Sequence, residues 1–124
     1  MKELVLDGLP YNSLQIEEAE LLFDALGNNT SIKRLSMRYS YVNDDFATLF
    51  ALSLVTNQSL IQLVLEGNEM TTTSAKNFYS VLKKNNDTLR LLDLSSNPID
   101  EDVLDALDQF MEQRALKRTL TNKA

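Results

Sequence analysis

The sequence predicts an α/β fold: a curved solenoid of four strand-turn-helix units, with a parallel sheet on the concave side and helices on the convex side. Three observations carry this. A short apolar pattern with period 2 occurs four times at spacings of 31, 28 and 29 residues. Each copy is followed by an apolar stripe at helical spacing. One unit cannot bury both features alone, whereas stacked neighbours share a continuous core.

The four copies read apolar-x-x-Leu-x-Leu, with Met37 in the last place of the second: Met1, Leu4 and Leu6; Ile32, Leu35 and Met37; Leu60, Leu63 and Leu65; Leu89, Leu92 and Leu94. Alternate side chains of a strand point to opposite faces, so the paired residues face the core and the one between them faces out. The extra residues of the first unit fall in Asp7–Ser13, where Gly8, Pro10, Asn12 and Ser13 are turn formers. The helical stripes are Ala19, Leu22 and Leu26; Ala47, Phe50 and Leu54; Ala75, Phe78 and Leu82; Leu104, Leu107 and Met111. Offsets of 3 and 4 keep each triplet on one side of its helix. Asn43-Asp44-Asp45, Thr72-Thr73-Ser74 and Asp100-Glu101-Asp102 supply capping oxygens at three helix starts. Asn29, Asn57 and Asn85 stand at three helix ends, where Asn suits a left-handed stop. The 124 residues thus form a single domain, with units at about 1–31, 32–59, 60–88 and 89–114 and a C-terminal helical extension over 115–124.

The segments LVLEGNEM (63–70) and LLDLSSNPI (91–99) resemble the leucine-rich-repeat signature L-x-x-L-x-L-x-x-N-x-L. Units of 28 and 29 residues with a full helix each are similar to its ribonuclease-inhibitor-like subclass. The resemblance spans roughly residues 1–114 and implies an intracellular protein-binding scaffold. It also implies that Asn68 and Asn97 satisfy turn backbone between units. Ser40 and Leu9 replace Asn in the second and first units; Ser40 can do part of that work and Leu9 cannot. A narrower resemblance, over the stretch from Asn43 to Met70 and again over 83–99, is to the C-terminal leucine-rich half of tropomodulins and leiomodins. It implies actin as partner, bound at the filament pointed end.

Composition bounds the chemistry. With no Cys and no His, disulfides, Cys/His metal sites and His-based nucleophilic catalysis are excluded. Only three glycines are present and no phosphate-binding loop, so no cofactor is expected and the domain reads as non-catalytic. The formal charge of −6 disfavours nucleic acid, and no apolar run suits membrane insertion. The expected setting is the cytoplasm. Of the four glycosylation-type triplets, at Asn28, Asn29, Asn57 and Asn86, all lie where the repeat itself calls for Asn before Ser or Thr.

Candidate binding residues fall in two places. Arg34 and Arg38 project from the concave row, where Ile61, Val64 and Leu91 are expected to form an exposed apolar group; ordinary strand propensity explains those three equally. Tyr11, Tyr39 and Tyr41 sit in the loops after strands, beside Arg38, and Tyr and Arg favour binding hot spots. The alternative role for Tyr39 and Tyr41 is to cover core where the Asn pattern lapses. The acidic run Glu17, Glu18, Glu20 and Asp24 is read as solvated helix surface. Beginning directly in its first repeat, the chain is expected to be uncapped there, so self-association through uncapped ends or cover by a partner is anticipated.

Overall fold

A computed structural model describes residues 2–10 and 14–123, with side chains through Lys117. Four three-residue strands alternate with four helices: β1 (Glu3–Val5), α1 (Ile16–Asn28), β2 (Arg34–Ser36), α2 (Asp44–Thr56), β3 (Gln62–Val64), α3 (Thr72–Lys84), β4 (Leu91–Asp93) and α4 (Glu101–Lys123). The strands make one parallel sheet in chain order, β1-β2-β3-β4. Register follows the repeat: Leu4, Leu35, Leu63 and Leu92 are opposite one another in turn. The α/β architecture is the one the spacing predicts.

The core lies between sheet and helices. Leu35, Leu63 and Leu92 enter it from the sheet, and Ala47, Phe50, Leu54, Ala75, Phe78 and Leu82 from the middle helices. On α1 the expected stripe is shifted. Phe23 is buried and packs its ring 4.6 Å from that of Phe50, while Leu22 is only half-buried. On α4, Leu107 and Met111 are buried and Phe110 meets Tyr79 of α3 at 5.1 Å. Arg114 stacks over Phe110 at 5.0 Å and donates to the carbonyls of Leu82 and Leu89, so it closes the end of α3 rather than its own helix. α4 continues unbroken to Lys123.

Two ladders of side-chain amides join the units. Along the strand-to-helix edge, Asn97 Nδ2 donates to Leu65 O and Leu94 O, and its Oδ1 accepts from Met70 N. Asn68 repeats the arrangement one unit earlier, donating to Met37 O and accepting from Ser40 N and Val42 N. Ser40 continues it in part: its hydroxyl donates to Arg38 O at 2.9 Å and accepts from Gly8 N at 3.0 Å. The second ladder runs along the helix-to-strand edge. Asn86 Nδ2 donates to Leu54 O and Asn57 O, and Asn57 Nδ2 to Leu26 O and Asn29 O. Each Oδ1 accepts two backbone amides of its own loop, as does that of Asn29.

This corrects the left-handed stop expected at these asparagines. Asn29 and Asn57 are extended (φ −73° and −69°), and Asn85, at −127°, yields the ladder position to Asn86. Asn57 and Asn86 are buried, so the triplets they head serve the fold and not glycan attachment. The cap of α3 is likewise one residue earlier than expected. Thr71 accepts from Thr73 N, and Asp44 at the start of α2 accepts from Thr71 N, Thr71 Oγ1 and Ser74 Oγ, tying the two helix starts together.

Candidate protein-binding surface

The strand-to-helix edge is shaped by a residue two places after each core Leu-x-Leu pair begins its exit from the sheet. That position holds Gly8, Tyr39, Gly67 and Ser96, all with positive φ (75°, 50°, 73° and 57°). A side chain in this left-handed region costs about 1–2 kcal/mol relative to glycine, because Cβ crowds the carbonyl oxygen. Tyr39 bears that cost, and Tyr41 bears it again at φ 58°. Buried Ser40 anchors the backbone between them, leaving both phenol rings outward at 59% and 52% exposure.

The glycine of the next unit accommodates Tyr39. A Cβ on Gly67 would lie 2.1 Å from Tyr39 Cε1, so the ring rests directly over the Gly67 backbone. Tyr39 is thereby held in one orientation, although its face and hydroxyl end remain open. Beside it, Arg38 reaches in both directions: Nη1 is 3.9 Å from Asp7 Oδ2, and Nε, which solvent does not reach, is 3.2 Å from Glu66 Oε1 outside hydrogen-bond geometry. Asp7 accepts from Ser36 Oγ at 2.7 Å and Arg38 N at 2.8 Å. Burial acts to raise the Asp7 pKa; the Ser36 and Arg38 hydrogen bonds with the charges of Arg38 and Arg34 overcome it, and the net direction is down. Arg34 pairs with Glu3 at 2.5 Å. Exposed ion pairs contribute roughly 0–1 kcal/mol, so a partner's carboxylate can displace them at little cost.

The outward face of the sheet does not carry the expected apolar group. Val64 is 2% exposed: it stands on an inner strand between Ser36 and Asp93, with Gln62 and Glu66 on either side along its own chain. Ile61, half-buried, belongs to the helix-to-strand edge with Lys33 and Arg90. Leu91 alone of the three is an exposed outward side chain, at 42%. Thus Arg34 lies on the outward face of β2, Arg38 just beyond that strand leads into Tyr39 and Tyr41, Val64 shares the sheet face but is buried, and Ile61 lies on the other edge. Tyr11 falls outside the described residues. Sequence reasoning missed Gly67 as the seat of Tyr39; the signal was the recurrence of Gly8 and Gly67 at one repeat position.

A second surface lies at the first unit. Leu4, Val5, Leu9, Ile16 and Leu21 are exposed, and beside Leu4 an apolar cavity of about 150 Å³ opens into the core, lined also by Leu6, Leu22 and Phe23 among others. Among the described residues, no helix is long and apolar enough to cross a membrane.

No protein-family model and no curated protein sequence matches this chain. Solved structures do. A domain of leiomodin-1 described as its actin-binding site 2 superposes with a TM-score of 0.68 at 14% identity, over 96% of this chain and 84% of that one. The tropomodulin C-terminal domain of Caenorhabditis elegans superposes with a TM-score of 0.62 at 15% identity, over 98% and 89%. With strands, helices and both loop edges in place, the chain has the fold of these leiomodin and tropomodulin leucine-rich-repeat-like domains.

Proposed function

We propose that this chain is a non-catalytic protein-interaction domain whose partner is actin. The observation that carries the reading is the fold likeness, over nearly the whole chain, to a leiomodin-1 domain described as an actin-binding site. The contact edge is the strand-to-helix side bearing Arg38, Tyr39 and Tyr41, with Arg34 and Leu91 on the adjoining sheet face. Supporting this, two tyrosines hold costly left-handed backbone while keeping their rings outward, and such strain concentrates at functional positions. A tyrosine already oriented against Gly67 loses little freedom on docking. Asp44 accepts from Thr71 and Ser74, and Asp7 from Ser36 and Arg38, which gives these two acids structural work. The proposed setting is the cytoplasm, where actin is.

Cosedimentation with actin filaments, and pulldown of monomeric actin, test this. Retention at micromolar protein is expected, and no binding at that concentration sinks the actin assignment. Filaments with blocked barbed ends test the finer reading, in which the chain slows growth at pointed ends. Within the binding assay, Tyr39→Ala with Tyr41→Ala is expected to weaken retention about tenfold, equivalent to ~1.4 kcal/mol. Full retention by that variant would move the contact away from this edge.

The broader alternative is a leucine-rich-repeat scaffold for some other protein. The alternating charges Glu3, Arg34, Asp7, Arg38 and Glu66 favour it to the extent that they offer a mixed, exchangeable surface.

A further inference from the structure

The edge opposite the tyrosines is built differently. Three shallow depressions meet there, all bordered by Gln58. Five cations line them, Lys33, Lys83, Lys84, Arg90 and Arg114, against the single acid Asp87. A local excess of positive charge is notable on a chain of formal charge −6.

Compensation of helix ends accounts for only part of it. Lys83 and Lys84 complement the negative C-terminal end of α3 and Arg114 closes it, whereas α1 and α2 end with no basic residue in their last turns. Lys33 and Arg90 stand instead in the segments leading into β2 and β4. Burial, and then repulsion from Arg90, push the Arg114 guanidinium below its ordinary pKa against the opposing charge of Asp87, which lies 3.9 Å from Arg90. An arriving anion would relieve that repulsion.

We infer that this basic edge is a second interaction surface, fitted to an extended acidic segment of a partner protein. Its length and lining set the class of partner. From Lys33 before β2 to Arg90 before β4 the edge spans two strand spacings, about 9.5 Å, the reach of roughly three extended residues. Half-buried Ile61 sits between Lys33 and Arg90 in the middle depression, which suits an apolar side chain flanked by carboxylates. An apolar residue between two cations suits a peptide, which can place an apolar side chain between carboxylates, over the phosphate row of a nucleic acid or an anionic bilayer. The surface is independent of the actin reading, since it shares no residue with the tyrosine edge.

The test is a titration of the labelled full chain, followed by amide NMR shifts, with a blocked peptide of sequence Glu-Asp-Glu-Ile-Glu-Asp-Glu. Shifts are expected at Lys33, Gln58, Ile61 and Arg90, weakening as salt is raised from 20 to 200 mM, roughly a threefold shortening of the screening length. Lys33→Glu with Lys84→Glu is expected to weaken the peptide at least tenfold while leaving the remaining spectrum folded. Three results would overturn the inference: no shifts at millimolar peptide, equal binding by the Gln/Asn version of the peptide, or undiminished binding by the double variant. Tighter binding of octathymidylate or phosphatidylserine vesicles at the same amides would overturn the assignment to a protein segment. Actin retention that survives the double variant is compatible with this surface, so the two proposals fail separately.

Discussion

The interior units and the first unit are built from the same template and end in different states. In the second and third units, the strand leucine is flanked on both sides, Leu35 at 3% and Leu63 at 0% exposure, and Asn57 and Asn68 are buried among backbone partners. In the first, the equivalent Leu4 is 36% exposed, Leu9 holds the place of the ladder asparagine, and the core opens into the cavity beside Leu22. The lesson is that a repeat residue has no fixed worth. Its contribution depends on whether a neighbour stands on each side.

The sharpest way to break that comparison is to truncate the same template position twice. Leu63→Ala is expected to cost about 3–4 kcal/mol in urea unfolding and Leu4→Ala less than about 1, because only the former leaves a closed cavity. Equal losses would mean that the first unit is as well packed as the interior. Next comes the helix-to-strand ladder. Asn57→Ala strands two carbonyls and two amides in a buried place and is expected to cost about 3 kcal/mol. Asn29→Ala exposes its two loop amides to water and is expected to cost about 1.

A smaller effect separates the tyrosine edge from the rest. Gly67→Ala is expected to lose about 2 kcal/mol, partly from left-handed strain and partly from collision with the Tyr39 ring. Adding Tyr39→Ala should recover the collision and leave the strain of about 1; thermal unfolding of the single and double variants reads the difference. The smallest is acid sensitivity. Burial raises the pKa of Asp44, and the hydrogen bonds from Ser74 and Thr71 more than reverse it, holding the carboxyl below 3.8. A pKa depressed on folding gives stability that is present above the unfolded value and lost as pH falls through the folded one. The gap in urea midpoint between the native chain and Asp44→Asn should therefore be constant near neutrality and close below about pH 3.8.

Most of the framework was legible because it rests on periodicity. Period 2 placed Leu35, Leu63 and Leu92 inward, and offsets of 3 and 4 placed Ala47, Phe50 and Leu54 on one helix side. What failed depends on three-dimensional neighbours. Phe23 replaced Leu22 because a ring could reach Phe50 across two helices, which no single-helix pattern encodes. Val64 was read as exposed from its parity alone, yet on an inner strand its lateral neighbours shield it. Asn85 and Asn86 are adjacent in sequence, and only the distance to Leu54 O selects the second. For the candidate site, the sequence puts Arg38, Tyr39 and Tyr41 in one loop after a strand, while the left-handed backbone that presents Tyr39 is signalled only by Gly8 and Gly67 at the same repeat position. Tyrosine is an unexpected occupant of a glycine position.

The order β1-β2-β3-β4 has a kinetic consequence. Its main contacts join consecutive elements of one kind, α1 with α2, α2 with α3 and α3 with α4, and nothing links the first unit to the last among them. Each added unit therefore closes a loop of about the same length, and the entropic toll of closure does not grow as the chain assembles. Folding can begin at any adjacent pair, the second and third units joined by Asn68 and Asn86 among them. From such a nucleus the structure grows outward in both directions, and the first unit, with its half-open core, is added at the lowest gain.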